Sequence, residues 1–373
     1  MNDAHHLSFF APSLAGGGAE RVVVTLANAF AERGHRVDLL LSSKHGPFLS
    51  DVDPRVSIVG FGKTHTSLTI PALTQTLRRS QPDLLVSALP GPTVAAHCAT
   101  ARMRLSGPSA PPLCATVHCF PTVDRERADS LRARLLLQAF RTALRRLDTV
   151  VGVSEAVTES ITRFTGGPRQ DLHVLPNPID TSVPDTDAAH PWFDQSPPVL
   201  VAAGRLCPQK DYPTFLRSLA ALNARRPVRA LILGEGADRA ALETLTRELG
   251  IVEQTSFLGF VDHPRRFMKQ ADVFVLPSLF EPFGNVVVEA LACGTPVVAA
   301  SDSGGPPELL APVTDEYDPF FASGDPSALA RTIERTLTTP IRAPRLRERA
   351  SDFAIPHIVD QYATLFRTIL APN

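Results

Sequence analysis

The feature that most constrains this chain is a repeated alternation of short apolar runs with longer segments of helical periodicity. In the first half, the apolar runs are LSFFAPS, RVDLLLSS, VSIVGF, DLLVSAL, LCATVHC and DTVVGVS, and each precedes a loop or a helical pattern. Apolar, β-branched runs of this length predict buried strands, and the helical segments between them predict crossover connections. The sequence therefore predicts an α/β fold built on a parallel sheet.

The alternation stops once and then restarts. Residues 173–198 are rich in proline and aspartate and lack periodicity, and the runs VLVAAGRL, RALILGEG, TSFLGF, DVFVLPS and TPVVAAS follow them. At 373 residues the chain also exceeds the roughly 100 to 200 residues of a typical domain. We therefore predict two doubly wound halves joined near residues 177–198, with ligands bound by loops at the carboxyl ends of the strands.

Composition restricts the compartment and the chemistry. No apolar stretch approaches the ~20 residues needed to cross a bilayer, and the N-terminus lacks the features of a signal peptide, so we expect a cytoplasmic location. Five cysteines without a CxxC pair argue against a disulfide framework and against a zinc site. The sequence contains no HExxH, GxSxG or GxxxxGK[ST] motif, which disfavours the common metalloprotease, serine hydrolase and P-loop mechanisms.

Positive charge is concentrated in the first half. Residues 1–180 contain 19 Lys and Arg against 15 Asp and Glu, whereas the remainder contains 18 against 23. Between Arg125 and Arg146, arginines alternate with Leu131, Leu135, Phe140 and Leu144, which predicts a basic amphipathic helix. Two interpretations stay open: a packed helix with a solvated face, or a surface attracted to anionic lipid or a phosphate-bearing acceptor. The stretch lacks a series of aromatic side chains for base stacking, so we expect no nucleic-acid partner.

A glycine-rich loop follows the first predicted strand. Gly16, Gly17 and Gly18 stand immediately before a helical segment, in SLAGGGAERVVVTLANAF. Glycines allow close backbone approach to a ligand, and a helix N-terminus attracts anions, so a phosphate site is one interpretation. A tight strand-to-helix turn is the other. The GxGxxG fingerprint of dinucleotide-binding proteins is absent.

Two segments of the second half combine charges at predicted strand ends. Arg205 and Lys210, in AAGRLCPQKDYPTFL, would neutralise a diphosphate or form an ordinary surface ion-pair loop. In FEPFGNVVVEA, Glu281 follows a strand, Gly284 opens a helix and Glu289 lies within it. A carboxylate accepts hydrogen bonds from two neighbouring hydroxyls at once, as sugars and ribose offer, although Glu289 could instead pair with a cation such as Arg205.

His118 ends the predicted strand LCATVHC, again at a carboxyl end. A lone histidine is commonly a hydrogen-bonding core residue, and only its position makes it a candidate site residue.

In this order, the segments resemble the retaining, nucleotide-sugar-dependent glycosyltransferases of family 4, which have the GT-B fold. The resemblance covers essentially the whole chain and rests on GGGAERV, TVH, VGVSEAV, VLPNPID, GRLCPQKDYPTFL, GEGADRAALE and EPFGNVVVEALACGTPVV. It implies two Rossmann-like parallel-sheet domains facing a deep cleft. Residues 1–180 would bind the acceptor, residues 181–354 would bind the nucleotide sugar, and a C-terminal helix in 355–373 would cross back to the N-terminal domain.

The resemblance also implies roles for individual positions. The catalytic residues would be His118 near the anomeric centre, Arg205 and Lys210 at the donor diphosphate, and Glu281 at the hydroxyls of the donor sugar. The further substrate-binding residues would be Gly17, Gly18, Phe260, Phe283, Gly284, Asn285 and Glu289. Of these, the two N-terminal glycines would approach the diphosphate, Phe260 would edge the nucleobase and Glu289 would hold the ribose hydroxyls. Cys119 follows His118 where an acid is common in the family.

The implied reaction transfers a sugar, with retention, from a nucleoside diphosphate sugar, with UDP-sugar as the expected donor and no metal cofactor. The basic segment favours a lipid-linked acceptor or a polysaccharide or glycoconjugate intermediate, and a peripheral contact with the inner face of the plasma membrane. Two alternatives remain open at this point: a hydrolysing nucleotide-sugar epimerase of the same fold, and a non-catalytic membrane-associated scaffold.

Overall fold

The computed structural model describes residues 4–105, 107 and 110–371. Residues 1–3, 106, 108–109 and 372–373, which belong to the predicted domains 1–180 and 355–373, lie outside the described residues. The chain divides into two compact units: Met1–Pro178 together with Ile355–Asn373, and Ile179–Ala354. We call them the N-terminal unit and the C-terminal unit.

The N-terminal unit contains a seven-stranded parallel sheet within the described residues. Its strands are β1 (His6–Ala11), β2 (Arg36–Leu41), β3 (Ser57–Gly60), β4 (Leu84–Ala88), β5 (Leu113–Val117), β6 (Thr149–Gly152) and β7 (Leu172–Val174). Its helices before the unit boundary are α1 (Gly18–Glu32), α2 (Ile70–Ser80), α3 (Pro90–Leu105), α4 (Pro121–Glu126), α5 (Leu131–Leu144) and α6 (Glu155–Thr165).

The strand order is β3-β2-β1-β4-β5-β6-β7, so the direction of winding reverses between β1 and β4. β1 and β4 are buried at every position, because helices cover both faces of a parallel sheet. Loops that leave the carboxyl ends of β1, β4 and β5 therefore border the switch point, where ligands bind in such sheets.

The C-terminal unit repeats this architecture with a six-stranded parallel sheet in the order β10-β9-β8-β11-β12-β13. Its strands are β8 (Val199–Ala203), β9 (Arg229–Leu233), β10 (Thr255–Gly259), β11 (Val273–Leu276), β12 (Val297–Ala300) and β13 (Phe320–Phe321). Its helices are α7 (Tyr212–Asn223), α8 (Arg239–Glu248), α9 (Pro264–Gln270), α10 (Asn285–Cys293), α11 (Gly305–Leu310), α12 (Pro326–Thr338) and α13 (Ala343–Ser351). Here the winding reverses between the neighbouring strands β8 and β11.

The last helix, α14 (Ile355–Leu370), belongs to the N-terminal unit and packs on α1. The rings of Phe30 and Phe366 stack with centroids 5.1 Å apart. At the edge of this contact, Arg33 Nη1 lies 2.7 Å from a carboxylate oxygen of Asp360.

The predicted pair of parallel-sheet, Rossmann-like folds is confirmed. Two strands were missed, β7 and β13, because three and two residues are too short to show a periodicity. The prediction of one continuous basic helix from Arg125 to Arg146 is wrong, since the segment forms α4 and α5 with a break at residues 127–130. No helix among the described residues is long and apolar enough to cross a membrane.

Candidate functional site

Lys210 and Glu281 form an ion pair at the carboxyl edge of the C-terminal sheet. Lys210 lies in the loop after β8, and Glu281 lies in the loop after the neighbouring strand β11. Their side chains are only 13% and 15% exposed, and the Ser278 hydroxyl lies 3.5 Å from the same carboxylate oxygen, Glu281 Oε2. The switch point of this sheet therefore holds a mostly buried pair of opposite charges.

Two hydrogen bonds fix these two loops to each other. The Gln209 side-chain amide donates to the Phe280 carbonyl at 2.9 Å, and the Leu279 N–H donates to the Gln209 carbonyl at 2.9 Å. On its other side, Glu281 is held through its own N–H, which donates to Ser303 O, and its carbonyl, which accepts from Gly305 N–H. The carboxylate is thus presented by a backbone anchored on both sides.

Three residues after Glu281, Gly284 precedes the first residue of α10, as the sequence predicted. Its φ of +100° lies in the left-handed region that L side chains rarely adopt. A Cβ there would also lie 3.2 Å from Pro306 Cγ and 3.3 Å from Val287 Cγ2. Glycine is therefore required for the backbone to turn from the Glu281 loop into α10.

Gly234 and Gly236 lie in the loop after β9, where the backbone comes close to the loop after β8. A Cβ on Gly234 would lie 2.0 Å from the Gly204 carbonyl oxygen, and one on Gly236 would lie 2.2 Å from the Leu206 carbonyl oxygen. These glycines let the β9 loop pack directly against the backbone on either side of Arg205.

The remaining candidates of the C-terminal unit differ in exposure. Arg205 is exposed, and no carboxylate of the described residues lies within 4.0 Å of its guanidinium. Phe260, which follows β10, is 68% exposed, an unusual state for so large an apolar side chain. Glu289 is the fifth residue of α10 and half-buried, whereas Phe283 is buried with its ring edge-on to Phe353 at 5.7 Å.

In the N-terminal unit, the glycine loop connects β1 to α1. Gly16 has a φ of +107°, Gly17 is the residue before the helix, and Gly18 is its first residue. The carboxylate of Glu20 folds over this end, since its Oε2 atom lies 2.2 Å from the position of a Cβ on Gly17. A negative side chain thus occupies the helix N-terminus, the position at which an anionic ligand would be stabilised.

His118 follows β5 and is fixed by a hydrogen bond to a neighbouring hydroxyl. Its Nε2 lies 3.1 Å from Thr116 Oγ1, and Thr116 Oγ1 lies 3.4 Å from the Ser87 carbonyl oxygen that accepts its proton. The Nδ1 atom is buried and has no hydrogen-bond partner among the described residues. Burial lowers the pKa of His118 to about 4, so at neutral pH the imidazole is uncharged.

Sequence reasoning missed Asp124, which lies on α4. Burial, reinforced by the Asp124 carboxylate, raises the pKa of Cys119 well above its usual value. Burial also raises the pKa of Asp124. Asp124 therefore acts on Cys119, the residue after His118, from a short helix that Pro121 begins.

In each unit, the predicted residues gather at the carboxyl edge of the sheet. Arg205, Lys210, Glu281 and Gly284 lie on the loops after β8 and β11, at the switch point of the C-terminal sheet. Gly17 and His118 follow β1 and β5, which flank β4. Among the described residues, no group of three or more His, Cys, Asp or Glu side chains is arranged to hold a metal ion.

Two family models match the chain in succession. Residues 16–183 match the model described as Glycosyltransferase Family 4, and residues 185–353 match the model described as Glycosyl transferases group 1. Among curated proteins, a lipopolysaccharide core biosynthesis glycosyltransferase of Rhizobium meliloti is 27% identical over 359 residues, covering 94% of this chain and 95% of that protein. A 2-deoxystreptamine glucosyltransferase of Streptomyces kanamyceticus is 28% identical over 329 residues, covering 80% and 81%.

Solved structures show the same fold. The complex of Anabaena HepE with UDP-glucose superposes with a TM-score of 0.79 at 23% identity, covering 98% of this chain and 100% of that one. A glycosyltransferase from Rickettsia africae superposes with a TM-score of 0.78 at 15% identity over the whole of both chains. At these identities the likeness establishes the architecture.

Proposed function

The chain belongs to the family 4 glycosyltransferases of GT-B fold, and we propose that it moves a sugar from a nucleoside diphosphate sugar to an acceptor with retention of anomeric configuration. The observation that carries the proposal is the Lys210–Glu281 pair beside Gly284 and the N-terminus of α10. A cation, a carboxylate and the N-terminus of α10 meet at the switch point of this sheet, and a sugar diphosphate can interact with all three.

The diphosphate is proposed to bind Arg205, Lys210 and the first turn of α10. Negative charge develops on the leaving diphosphate as the bond to the anomeric carbon breaks, and fixed cations and N–H groups stabilise that charge most strongly in the transition state. Lys210 has three N–H donors, so it can retain Glu281 while contacting a phosphate oxygen. The scheme neutralises the diphosphate with protein groups and uses no metal ion.

The two glutamates are proposed to bind hydroxyl groups of the donor. Glu281 is mostly buried and anchored on both sides, which suits a directional contact with the transferred sugar. Glu289 is half-buried within α10 and is proposed to hold the ribose hydroxyls. The backbone of Phe283 and Asn285 borders the same turn, and Phe260 is proposed to edge the nucleobase.

In the N-terminal unit, Gly17 and Gly18 are proposed to approach the diphosphate, which requires Glu20 to move away from the end of α1. His118 is proposed to lie near the anomeric centre. Because burial lowers its pKa to about 4, His118 acts there as a neutral acceptor for a sugar hydroxyl, and not as a proton donor.

We propose UDP-sugar as the donor class, supported by the Anabaena HepE structures, which contain UDP, UDP with glucose, or UDP-glucose. For the acceptor, the Rhizobium relative named for lipopolysaccharide core biosynthesis supports a lipid-linked or polysaccharide intermediate. The exposed face of α5 gives independent support. Leu131 and Leu135 are 74% and 61% exposed and flank Arg132 and Arg134, a combination suited to peripheral contact with an anionic membrane.

A panel of UDP, GDP and ADP sugars tests the donor. Binding to the folded state alone raises the melting temperature, so one nucleotide class is expected to stabilise the protein more than the others. Incubation with that donor and candidate acceptors, followed by NMR of the product, is expected to show a glycoside with the anomeric configuration of the donor. An epimerised free sugar with nucleoside diphosphate would instead identify an epimerase, and no stabilisation by any nucleotide would contradict the proposal.

A further inference from the structure

Three arginines surround a glycine turn at the amino edge of the N-terminal sheet, away from the proposed donor groups. Gly166 and Gly167 follow the last residue of α6 and lead to β7, while Arg145 follows the last residue of α5 and leads to β6. The turn, Arg145 and Arg169 line a cavity of about 250 Å³. We call this cavity, with the adjacent Arg141, the arginine pocket.

The guanidinium groups in the arginine pocket lie close together. A Cβ on Gly166 would lie 2.9 Å from Arg145 Nη2 and 3.4 Å from Arg141 Nη2, so both cations approach the same glycine. With a φ of +90°, Gly166 ends α6 in a conformation that favours glycine, and the absence of a side chain keeps the cavity open.

Negative charge does not balance these cations. Arg169 pairs with Asp171 through Nη2, but neither Arg141 nor Arg145 has a carboxylate within 4.0 Å among the described residues. Three arginines thus share one acid. Like charges gathered around one glycine repel one another, and an anion between them would relieve that repulsion.

Several guanidinium N–H groups of Arg141 and Arg169 also lack hydrogen bonds. Arg141 Nε, Arg169 Nε and Arg169 Nη1 are buried without a partner among the described residues. Arg145 Nε donates to the Thr165 carbonyl, and Arg169 Nη2 donates to the Leu147 carbonyl. These contacts leave the three buried N–H groups without partners. Buried polar groups normally have partners, so unpartnered donors of one charge indicate a missing acceptor.

From this arrangement we propose that the arginine pocket binds a phosphoryl group. Arginine matches the oxygens of a tetrahedral phosphate with forked N–H donors, and three arginines supply more donors than one phosphate accepts. The group could belong to a soluble phosphate compound or to the headgroup of a phospholipid. Both sources present the same phosphate oxygens to the arginines. The proposal does not depend on the proposed sugar transfer.

Isothermal titration of the full-length protein with inorganic phosphate and pyrophosphate tests the proposal. Saturating UDP is present in every titration. Phosphate affinity is then compared between proteins whose donor-site residues are the same. Arg145→Gln is expected to weaken phosphate binding by about tenfold or more, because a charge-assisted contact to the anion is lost. Arg141→Gln is expected to act in the same direction. Arg163→Gln, an exposed arginine of α6 paired with Glu159, is the matched control and is expected to stay within about twofold of wild type.

A parallel arm distinguishes the two sources. Vesicles of phosphatidylglycerol in phosphatidylcholine replace the free anion, and co-sedimentation is compared for wild type and Arg145→Gln. Loss of both vesicle and phosphate binding assigns a lipid headgroup, whereas loss of phosphate binding alone assigns a soluble phosphate compound. Arg145→Lys keeps the positive charge but loses the forked pair of N–H donors. Its phosphate binding checks that weaker binding by Arg145→Gln does not come from misfolding. Equal phosphate binding by wild type and Arg145→Gln, or no binding by wild type, overturns the proposal.

Discussion

Lys210 and Glu281 are 71 positions apart in the sequence, yet they form an ion pair whose side chains are 13% and 15% exposed. Each is a proposed ligand for a different part of the donor, and before the donor arrives each satisfies the other. A mostly buried pair of this kind is stable only as a pair, because removal of one partner leaves an uncompensated charge in a poorly solvated place.

Substituting the pair is expected to separate stability from activity. Lys210→Met and Glu281→Gln should each lower the free energy of unfolding by about 3 kcal/mol, whereas the double variant should stay within about 1 kcal/mol of wild type. All three should lose donor turnover by about 30-fold or more, because contacts to the diphosphate or the sugar are gone. Urea denaturation and an assay of donor turnover measure the two effects.

The exposed pair Arg335–Asp318, with side chains 51% and 56% exposed, is the control. Its double-mutant cycle should give a coupling of roughly 0 to 1 kcal/mol. If the two single losses at Lys210 and Glu281 simply add in the double variant, the pair is not coupled in the way its geometry indicates.

Substitution of Arg205 should reduce donor turnover without reducing the free energy of unfolding. Its side chain is exposed and has no carboxylate within 4.0 Å among the described residues, so Arg205→Ala should change the free energy of unfolding by no more than about 0.5 kcal/mol. The loss of a charge-assisted contact in the transition state should still slow donor turnover by about 30-fold, equivalent to roughly 2 kcal/mol. Arg217→Ala, an exposed position on α7, is the matched control for both assays. Turnover within twofold of wild type in Arg205→Ala would remove this residue from the diphosphate site.

The histidine at the end of β5 predicts a specific pH dependence of stability. Burial lowers the pKa of His118 to about 4, below the value of 6.5 for an unperturbed histidine. As the pH falls from about 6.5 to 4, the unfolded chain takes up this proton before the folded protein does, so folding loses stability by up to about 1.4 kcal/mol per pH unit. The free energy of unfolding of His118→Gln should fall less than that of wild type between pH 6.5 and 4. Above pH 7, the pH dependence of the two proteins should be the same.

Other histidines do not affect the difference in stability between wild type and His118→Gln. Burial also lowers the pKa of His35, His97 and His190, and both proteins keep those residues. The difference between wild type and His118→Gln in chemical denaturation at several pH values therefore reports His118 alone. Parallel curves from pH 7 to 4 would show that the imidazole is more hydrated than the structure indicates.

Much of the fold follows from local sequence patterns, whereas the site depends on contacts that no local pattern contains. The runs that form β8 and β11 are strongly apolar, and the rule for parallel sheets places the loops after them at one edge. That reasoning brought Lys210 and Glu281 to the same edge of the sheet. It did not predict that they form a pair, since the pairing depends on the strand order and on the loop contacts of Gln209.

The arginines show the same limit. Alternation of Arg and Leu between residues 125 and 146 predicted one basic amphipathic helix, either packed on the protein or exposed to an anionic surface. The chain instead breaks before Ser130, whose side chain caps α5, and Leu131 and Leu135 face outward while Phe140 and Leu144 are buried. Arg169, which joins Arg145 around the glycine turn, lies outside that segment and gave no signal in the sequence.

The outward leucines of α5 give the last prediction. Leu131→Glu with Leu135→Glu should abolish co-sedimentation with phosphatidylglycerol vesicles, because each exposed leucine contributes roughly 1.5 to 3 kcal/mol when fully buried in apolar surroundings and each glutamate repels an anionic surface. The free energy of unfolding should change by no more than about 0.5 kcal/mol, since both side chains are largely exposed in the folded protein. Val252→Glu, a 48% exposed position in the C-terminal unit, is the control and should leave vesicle binding unchanged. Vesicle binding by the double variant equal to that of wild type would place any membrane contact elsewhere on the protein.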